Sequence, residues 1–253
     1  MMRAGKVYLV GAGPGDPELI TLKAMRVLGI ADVVLVDDLV NKAILVHVRE
    51  DARIVKVGKR GGCKSTPQAF IDRLLVAEAK AGRIAVRLKG GDPLIFGRGG
   101  EEVEALERAG VVYEVVNGIT AGLAAATSAG VPLTHRDFGH GVVFITAHGA
   151  GEQEPDWSAL AKSGLTLVVY MGVARCGNLQ MRLILAGMLP TTPVAVIENA
   201  TLPRERRLRT TLGRLAHDIA AHELESPAIM VIGEVARERL LDAGDAGSTL
   251  RVG

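Results

Sequence analysis

Short apolar runs alternate with segments of helical periodicity through residues 1–132, and this alternation constrains the fold most strongly. The predicted strands are residues 6–10, 32–36, 53–57, 84–88 and 111–116, and helical patterns lie between them. One such helix has apolar positions at Leu22, Met25 and Leu28, and another begins at Ser65-Thr66-Pro67 with a hydroxyl cap and proline in its first turn. Strands and helices at this spacing indicate a mostly parallel sheet with helices on its faces.

The alternation breaks at Pro132. Residues 133–141 are polar and lack periodicity, so they are predicted to be a linker. A second set of elements follows, with more β-branched strands and hydroxyl side chains, which indicates a partly antiparallel sheet. Its predicted strands are 142–146, 165–171, 194–197, 207–211 and 228–232, and its predicted helices lie near 157–160, 178–186 and 212–221. We therefore predict an N-terminal α/β domain over 1–132, a C-terminal α/β domain over 142–241 and a frayed tail over 242–253.

Composition excludes several classes of partner. The net charge of +2 over 253 residues is too small for a general polyanion binder, and 3% aromatic residues argue against base-stacking nucleic-acid surfaces. Cys63 and Cys176 show no metal-ligand spacing, so we expect no metal and a reducing compartment. The N-terminus lacks a signal-peptide pattern and no apolar run reaches membrane-spanning length. We expect a cytoplasmic protein without nucleic-acid or membrane partners.

The stretch Arg87–Glu102 predicts a binding site. A strand breaks at Gly90-Gly-Asp-Pro93 and passes through Gly97, Gly99 and Gly100 into a helix. Glycine-rich turns between a strand and a helix place flexible backbone at the carboxyl end of a sheet, where open α/β sheets bind ligands.

The loop Gly11-Ala-Gly-Pro-Gly15 resembles a dinucleotide-binding fingerprint only in part. Asp16 stands where a third glycine is needed, and Pro14 lacks the amide hydrogen that such a loop donates to phosphate. We therefore expect a tight loop that lines a cleft without binding pyrophosphate.

Charged side chains follow the predicted strands. Asp37 ends the second strand and Lys59 follows the third, so adjacent parallel strands place them at one rim, as a base and an acid or as a structural ion pair. His148 is a substrate contact, an acid–base group or a structural histidine. The basic residues near loop ends together suit a small substrate with several carboxylates or phosphates, although any one of them alone fits a solvated surface charge better. They are Lys59, Arg60, Lys64, Lys89, Arg98, His135, Arg136 and the cluster Arg204-Glu-Arg-Arg207.

Seven motifs together resemble the uroporphyrinogen-III C-methyltransferases, within the tetrapyrrole methylases, in order from about residue 5 to 236. They are Gly11–Pro17, Asp37-Asp-Leu-Val40, Val57-Gly-Lys-Arg60, Arg87–Glu102, Gly118-Ile-Thr-Ala121, Pro132-Leu-Thr-His-Arg-Asp137 and Ile197-Glu-Asn-Ala-Thr201. Departures from the family pattern fall at Val36, Asn117 and Ala147, where relatives usually carry Tyr, Pro and Gly.

This resemblance implies two α/β domains with an active-site cleft between them, a homodimer, and the stand-alone form of the enzyme. The implied reaction transfers methyl groups from S-adenosylmethionine to C2 and C7 of uroporphyrinogen III, giving precorrin-2 and S-adenosylhomocysteine. Precorrin-2 feeds cobalamin, sirohaem and haem d1 biosynthesis. The reaction requires alignment and proton removal but no metal.

The resemblance also assigns site residues. Asp37 and Lys59 correspond to the proposed base and acid, and Arg98, Glu101 and His148 are candidates for substrate orientation or proton handling, with Lys59 and Arg60 also on the substrate side. The cofactor contacts are mostly small residues and loop backbone. They fall on Pro14, Gly90, Gly91, Asp92, Ile95, Thr120, Ala121, Met171, Ala200 and Ala228.

Three other functions stay open at this point. The first is a sister methylase of the same fold that acts on a later corrin intermediate, on diphthamide or on ribosomal RNA. The others are a Rossmann-type oxidoreductase and a non-catalytic S-adenosylmethionine-binding module.

Overall fold

The computed structural model describes residues 5–58, 66–147 and 155–237. This part of the chain divides into two compact units. The first contains the described residues up to Ala124 together with Ala200–Arg204, and the second contains those from Ala125 to Asn199 and from Glu205 onward. The domain bounds expected from the sequence stay a prediction.

The first unit is built on a five-stranded sheet in the order β3-β2-β4-β1-β5, with every neighbouring pair parallel. The predicted parallel sheet is therefore confirmed. Its strands are β1 (Lys6–Gly11), β2 (Val33–Val36), β3 (Arg53–Lys56), β4 (Ile84–Lys89) and β5 (Tyr113–Val116). Its helices are α1 (Leu22–Leu28), α2 (Gln68–Lys80) and α3 (Gly99–Arg108), and α4 (Ala121–Ser128) begins in this unit.

Alternation along the strands gives the first sheet two apolar faces. Val34 and Val86 pack with Leu28 of α1 on one face. On the other face, apolar side chains of β1, β2 and β4 pack with Leu75 of α2 and Leu106 of α3. Both faces are buried, and this explains why the strands are nearly continuous runs of valine, isoleucine and leucine.

The strand order places a topological switch point between β1 and β4. The chain leaves β1 towards β2 on one side of this pair and leaves β4 towards β5 on the other. Open α/β sheets bind ligands at the carboxyl edge of the strands beside such a switch point.

The second unit contains a five-stranded mixed sheet in the order β6-β7-β10-β8-β9. Only the β6–β7 pair is parallel, so the partly antiparallel sheet expected from the sequence is confirmed. The strands are β6 (Val142–Thr146), β7 (Thr166–Tyr170), β8 (Pro193–Glu198), β9 (Arg206–Thr211) and β10 (Ala228–Ile232), and the helices are α5 (Trp157–Lys162), α6 (Cys176–Leu185) and α7 (Leu215–Ala221). Leu183 of α6 and Ile219 of α7 pack on one face of this sheet.

One local prediction was wrong. Pro67 is the residue that precedes α2 rather than its first helical residue, and no side chain caps the helix there. The helix predicted from Leu22, Met25 and Leu28 is confirmed as α1, in which Leu28 is buried and Leu22 is 77% exposed. No helix within the described residues is long and apolar enough to cross a membrane.

Glu114 makes the first unit sensitive to acid. Its carboxylate on β5 pairs with Lys23 of α1 and with Lys6 of β1, whose Nζ lies 2.6 Å from Oε2. Hydrogen bonds from these two ammonium groups lower the pKa of Glu114 to about 2. Because the folded-state pKa lies below the ordinary value, the stabilisation is complete above that value and is lost as pH falls towards 2.

We expect Glu114→Gln to lower the unfolding midpoint most at neutral pH, with a difference from the unchanged protein that shrinks as pH falls from about 5 to about 3. Urea unfolding across this range measures the effect. High salt reduces the same difference, because the pair is partly exposed. A difference that is constant with pH would contradict the assignment.

Candidate functional site

The loops after β1 and β4 are paired through their backbones at the carboxyl edge of the first sheet. Gly91 N donates to Gly13 O at 2.7 Å, Gly13 N donates to Gly91 O at 3.2 Å, and Ala12 N donates to Lys89 O at 2.7 Å. The backbone amides of Ala12 and Gly13 in the glycine-rich β1 loop thus donate hydrogen bonds within the protein. This agrees with the expectation that the loop does not grip pyrophosphate, which needs free amide donors.

The loop after β5 packs against both of these loops with no room for side chains. A Cβ added to Gly118 would lie 2.2 Å from Gly91 O and 2.8 Å from the carbonyl carbon of Gly11. A Cβ on Gly11 would in turn lie 2.5 Å from Gly118 N. Glycine is required here because three backbones meet in van der Waals contact.

Asp92 fixes the β4 loop to the β5 loop. Its side chain is 9% exposed, with Oδ1 accepting from Leu94 N at 2.9 Å and Oδ2 accepting from Gly118 N at 3.1 Å. Both oxygens therefore bind backbone amides. Asp92 contributes to the site by shaping the two loops, a role that its assignment among the cofactor residues did not specify.

The next residues of this loop present apolar surface. Leu94, Ile95 and Phe96 are 54%, 36% and 41% exposed, although they are large and hydrophobic. Phe96 and Arg98 both adopt left-handed backbone conformations, with φ of 51° and 57°. Non-glycine residues rarely hold such conformations unless the surroundings impose them, and they concentrate at ligand sites.

Arg98 and Glu101 form a bidentate ion pair at the start of α3. Arg98 Nε donates to Glu101 Oε1 at 2.8 Å and Nη2 donates to Oε2 at 2.6 Å, with both side chains more than half exposed. The hydrogen bonds from Arg98 lower the pKa of Glu101. Glu101 is therefore a carboxylate at neutral pH, and it occupies the guanidinium fork that would otherwise bind another carboxylate.

Asp37 lies just beyond β2, beside β4, and both of its oxygens are held. Oδ1 accepts from Asp38 N at 3.0 Å, and Oδ2 accepts from Arg87 Nη2 at 3.0 Å. Its side chain remains 36% exposed, whereas that of Arg87 is 3% exposed. The structure thus places at this edge an oriented, accessible carboxylate that is anchored from below by a buried guanidinium.

The prediction that Lys89 belongs to a basic rim was wrong. Lys89 is buried, and its Nζ lies 3.0 Å from Oε2 of the fully buried Glu102. Glu102 also accepts from Arg87 Nε at 3.0 Å. A signal was present in the sequence: Glu102 and Leu106 share a helix face at i, i+4, and Arg87 and Lys89 share a strand face.

Three expected cofactor residues follow or begin strands of the second sheet. Met171 follows β7, with a left-handed φ of 55°, and Ala228 begins β10. Ala228 pairs with Glu198, the last residue of β8, and the next residue of β10 pairs with the last residue of β7. The antiparallel register therefore brings the carboxyl ends of β7 and β8 to the same sheet edge as the start of β10. Ala200 comes two residues after β8.

The segment Ala200–Arg204 belongs to the first unit, and sequence reasoning did not anticipate this. Thr201 Oγ1 accepts from Asp16 N at 3.0 Å in the β1 loop. Thr201 has a φ of 65°, an uncommon conformation for a β-branched residue. A Cβ on Gly15 would lie 2.9 Å from Leu202 Cγ. This segment therefore fixes the far end of the β1 loop.

Several predicted residues fall outside the described part of the chain. These are Lys59, Arg60, Lys64 and His148. Among the residues that are described, no group of three or more His, Cys, Asp and Glu side chains is arranged to hold a metal ion. The roles assigned to these four residues, and the expectation that no metal takes part, stay predictions.

Comparison with known proteins gives a consistent result across the chain. A sequence model of the tetrapyrrole (corrin/porphyrin) methylases matches residues 6–216. The chain is 60% identical over 235 residues to uroporphyrinogen-III C-methyltransferase of Pseudomonas aeruginosa, and the match covers 93% of this chain and 96% of that protein.

Solved structures agree with this similarity. Uroporphyrin-III C-methyl transferase from Thermus thermophilus, complexed with S-adenyl homocysteine, is 45% identical with a TM-score of 0.79, covering 92% of this chain and 94% of that one. The cobalamin biosynthetic enzyme cobalt precorrin-4 methyltransferase has a TM-score of 0.82 at 30% identity, covering 92% and 96%. Both structures share the fold to a similar degree, whereas the sequence identity is higher to the enzyme named for uroporphyrin III than to the precorrin-4 methyltransferase.

Proposed function

The chain belongs to the tetrapyrrole methylase family, and we propose that it transfers methyl groups from S-adenosylmethionine to C2 and C7 of uroporphyrinogen III, giving precorrin-2. The observation that carries this proposal is the carboxyl edge of the first sheet. There an oriented carboxylate, Asp37, stands at the end of the strand next to β4, whose own loop carries apolar side chains and meets two other backbones.

The residues present at this edge fit the proposed cofactor. S-adenosylmethionine has an apolar adenine ring, polar ends that bind backbone groups, and a sulfonium that supplies the methyl group. The exposed Leu94, Ile95 and Phe96 provide apolar surface, and the tightly packed glycines allow close backbone approach. The proposed contacts in this unit are Pro14, Gly90, Gly91, Asp92, Ile95, Thr120, Ala121 and Ala200, and those proposed elsewhere in the chain are Met171 and Ala228.

Asp37 is the proposed proton acceptor. Methylation of a pyrrole carbon leaves a macrocycle that must lose a proton, and a fixed carboxylate accepts it efficiently. Each oxygen of Asp37 uses one lone pair for a hydrogen bond within the protein, which leaves a further acceptor site on each. Lys59 is proposed as the acid.

Arg98 is proposed to bind a carboxylate of the substrate. Its fork is paired with Glu101, so substrate binding exchanges one carboxylate partner for another. Glu101 is ionised at neutral pH because its pKa is lowered, and this favours a role in orienting Arg98 over a role as a proton donor. Arg60 and His148 are further proposed substrate contacts.

Anaerobic incubation with uroporphyrinogen III and S-adenosylmethionine, followed by mass spectrometry of the tetrapyrrole, tests the proposal. We expect a product that has gained two methyl groups. No methylation, with S-adenosylhomocysteine still bound in calorimetry, would assign the chain to a sister enzyme that acts on a later corrin intermediate. No methylation and no binding would refute the cofactor assignment as well.

Three finer points belong to the same proposal. We propose that the protein acts as a homodimer in the cytoplasm and without a metal. Sedimentation of the purified protein tests the first point. Full activity after dialysis against a chelator tests the last.

A further inference from the structure

At the proposed site, four charged side chains form the Asp37–Arg87–Glu102–Lys89 network, in which Asp37 is partly exposed and the other three are buried. Arg87 and Lys89 occupy alternate positions of β4 and therefore project from the same face of the sheet. Glu102 comes from the first turns of α3, and its exposed surface is 0%. Two carboxylates and two cations give the network a formal charge of zero.

Glu102 is the centre of this network. Its Oε1 accepts from Arg87 Nε at 3.0 Å and from Gln68 Nε2 of α2 at 3.1 Å, and its Oε2 lies 3.0 Å from Lys89 Nζ. Oε2 has no hydrogen bond of good geometry among the described residues, so the Lys89 contact is an ion pair. Glu102 therefore contacts both buried cations, and Asp37 supplies the second negative charge.

We propose that Glu102 is a positioning residue for Asp37, acting through Arg87. The guanidinium of Arg87 is held at Nε by Glu102 and presents Nη2 to Asp37, so the orientation of the proposed base is set by a carboxylate that the substrate does not reach. Lys89 forms an ion pair with Glu102 and balances its negative charge. This inference rests on the proposed role of Asp37.

The proposed role of Glu102 depends on its negative charge as well as on the size and hydrogen bonding of its side chain. A neutral residue at this position would leave Arg87 and Lys89 as two buried cations with one carboxylate, and burial of an uncompensated charge is costly. Arg87 would then have Asp37 as its only carboxylate partner among the described residues, and a shift of the guanidinium would move Asp37 with it. Burial already lowers the pKa of Lys89, against the opposing effect of Glu102.

Other groups also face Glu102. From α2, Gln68 Nε2 bridges Glu102 and Asp72 Oδ1, which it meets at 2.9 Å. Burial raises the pKa of Asp72, and the negative charge of Glu102 adds to this effect. The Lys89 stem lies beneath the β4 loop, since a Cβ on Gly97 would be 3.3 Å from Lys89 Cε. The network thus joins strand, loop and both helices under the site.

The test uses Glu102→Gln, which keeps the size of the side chain and an acceptor oxygen but removes the charge. We expect kcat with uroporphyrinogen III to fall about 10- to 100-fold, as small misplacement of a catalytic group does, while KM and the Kd for S-adenosylhomocysteine stay within about 2-fold. Glu104→Gln is the matched control, because Glu104 is on the same helix, is 68% exposed and pairs only with surface Arg108 among the described residues. Its kcat is expected to be unchanged.

The double variant Lys89→Met/Glu102→Gln separates positioning from simple destabilisation. It removes one cation and one carboxylate together, so Arg87 and Asp37 remain a balanced pair, and we expect kcat to recover to within about 3-fold of the unchanged protein.

Three results would overturn the inference. They are a double variant no more active than Glu102→Gln, an unchanged kcat in Glu102→Gln, and a loss of S-adenosylhomocysteine binding in Glu102→Gln equal to its loss of kcat. If Glu102→Gln does not fold, the double variant decides alone: activity supports the inference and inactivity overturns it. Lack of turnover by the unchanged protein would instead refute the proposed function.

Discussion

Replacing Gly118 with alanine is expected to reduce the affinity for S-adenosylhomocysteine by at least about 100-fold, because a displacement of about 1 Å at a binding site has this effect. The new Cβ would lie 2.2 Å from Gly91 O and 2.8 Å from the carbonyl carbon of Gly11. Both neighbours are backbone atoms, so neither loop can yield by rotating a side chain. The loops after β1 and β4 must separate, and the hydrogen bond from Gly118 N to Asp92 is strained with them. Isothermal titration calorimetry measures the change in affinity.

Gly100→Ala is the matched control for this prediction. An added Cβ at Gly100 meets no heavy atom of the described residues within 4 Å, and the residue lies in the first turn of α3. Alanine favours a helix over glycine by up to about 1 kcal/mol, so this variant should bind normally and be slightly more stable. Normal binding by soluble, folded Gly118→Ala would contradict the view that three touching backbones shape the cofactor site.

Asp37→Asn is expected to lower kcat by about 100- to 10,000-fold, the usual contribution of a positioned acid or base. Asparagine preserves the size of the side chain and can still accept the hydrogen bond from Arg87, but it cannot take a proton at the alkylated macrocycle. Binding of S-adenosylhomocysteine should be unaffected, because the loops after β1, β4 and β5 are unchanged. Single-turnover measurement with uroporphyrinogen III separates the chemical step from binding.

Asp38→Asn provides the comparison. Asp38 is the adjacent carboxylate and is exposed, and only its backbone N–H, which the substitution preserves, contributes to holding Asp37. Near-normal turnover is expected for this variant. Equal turnover in the two variants would show that Asp37 is not the proton acceptor and would direct attention to another group.

Much of the fold was predictable from the sequence because its signals are local. Runs of β-branched residues flanked by glycine indicate buried strands, and helical patterns between them imply parallel pairing. The hydroxyl-rich second half indicated a mixed sheet, and β7, β8 and β10 confirm it. The motifs around Asp92 and Gly118 likewise predicted a binding site from local sequence, and their loops belong to the proposed one.

One charged residue was misjudged because the burial of a charge is not a local property. Lys89 looks like a rim cation by its place at a strand end, yet it is buried because Glu102 from a helix thirteen residues later neutralises it. The cofactor contact of Asp92 stays a prediction, and the structure adds that its oxygens accept hydrogen bonds from two backbone amides. Each outcome depends on a partner contributed by another element.

The sequence by itself therefore determined the family, the order of the strands and helices, and which loops carry the proposed site. Only the tertiary structure decided which charges stay accessible, since that depends on partners brought together across the sheet. Asp37 remains at the surface, whereas Arg87, Glu102 and Lys89 are buried beneath it. The physical reason is desolvation: an ion enters the interior only where an opposite charge compensates it, and compensation is a property of three-dimensional packing.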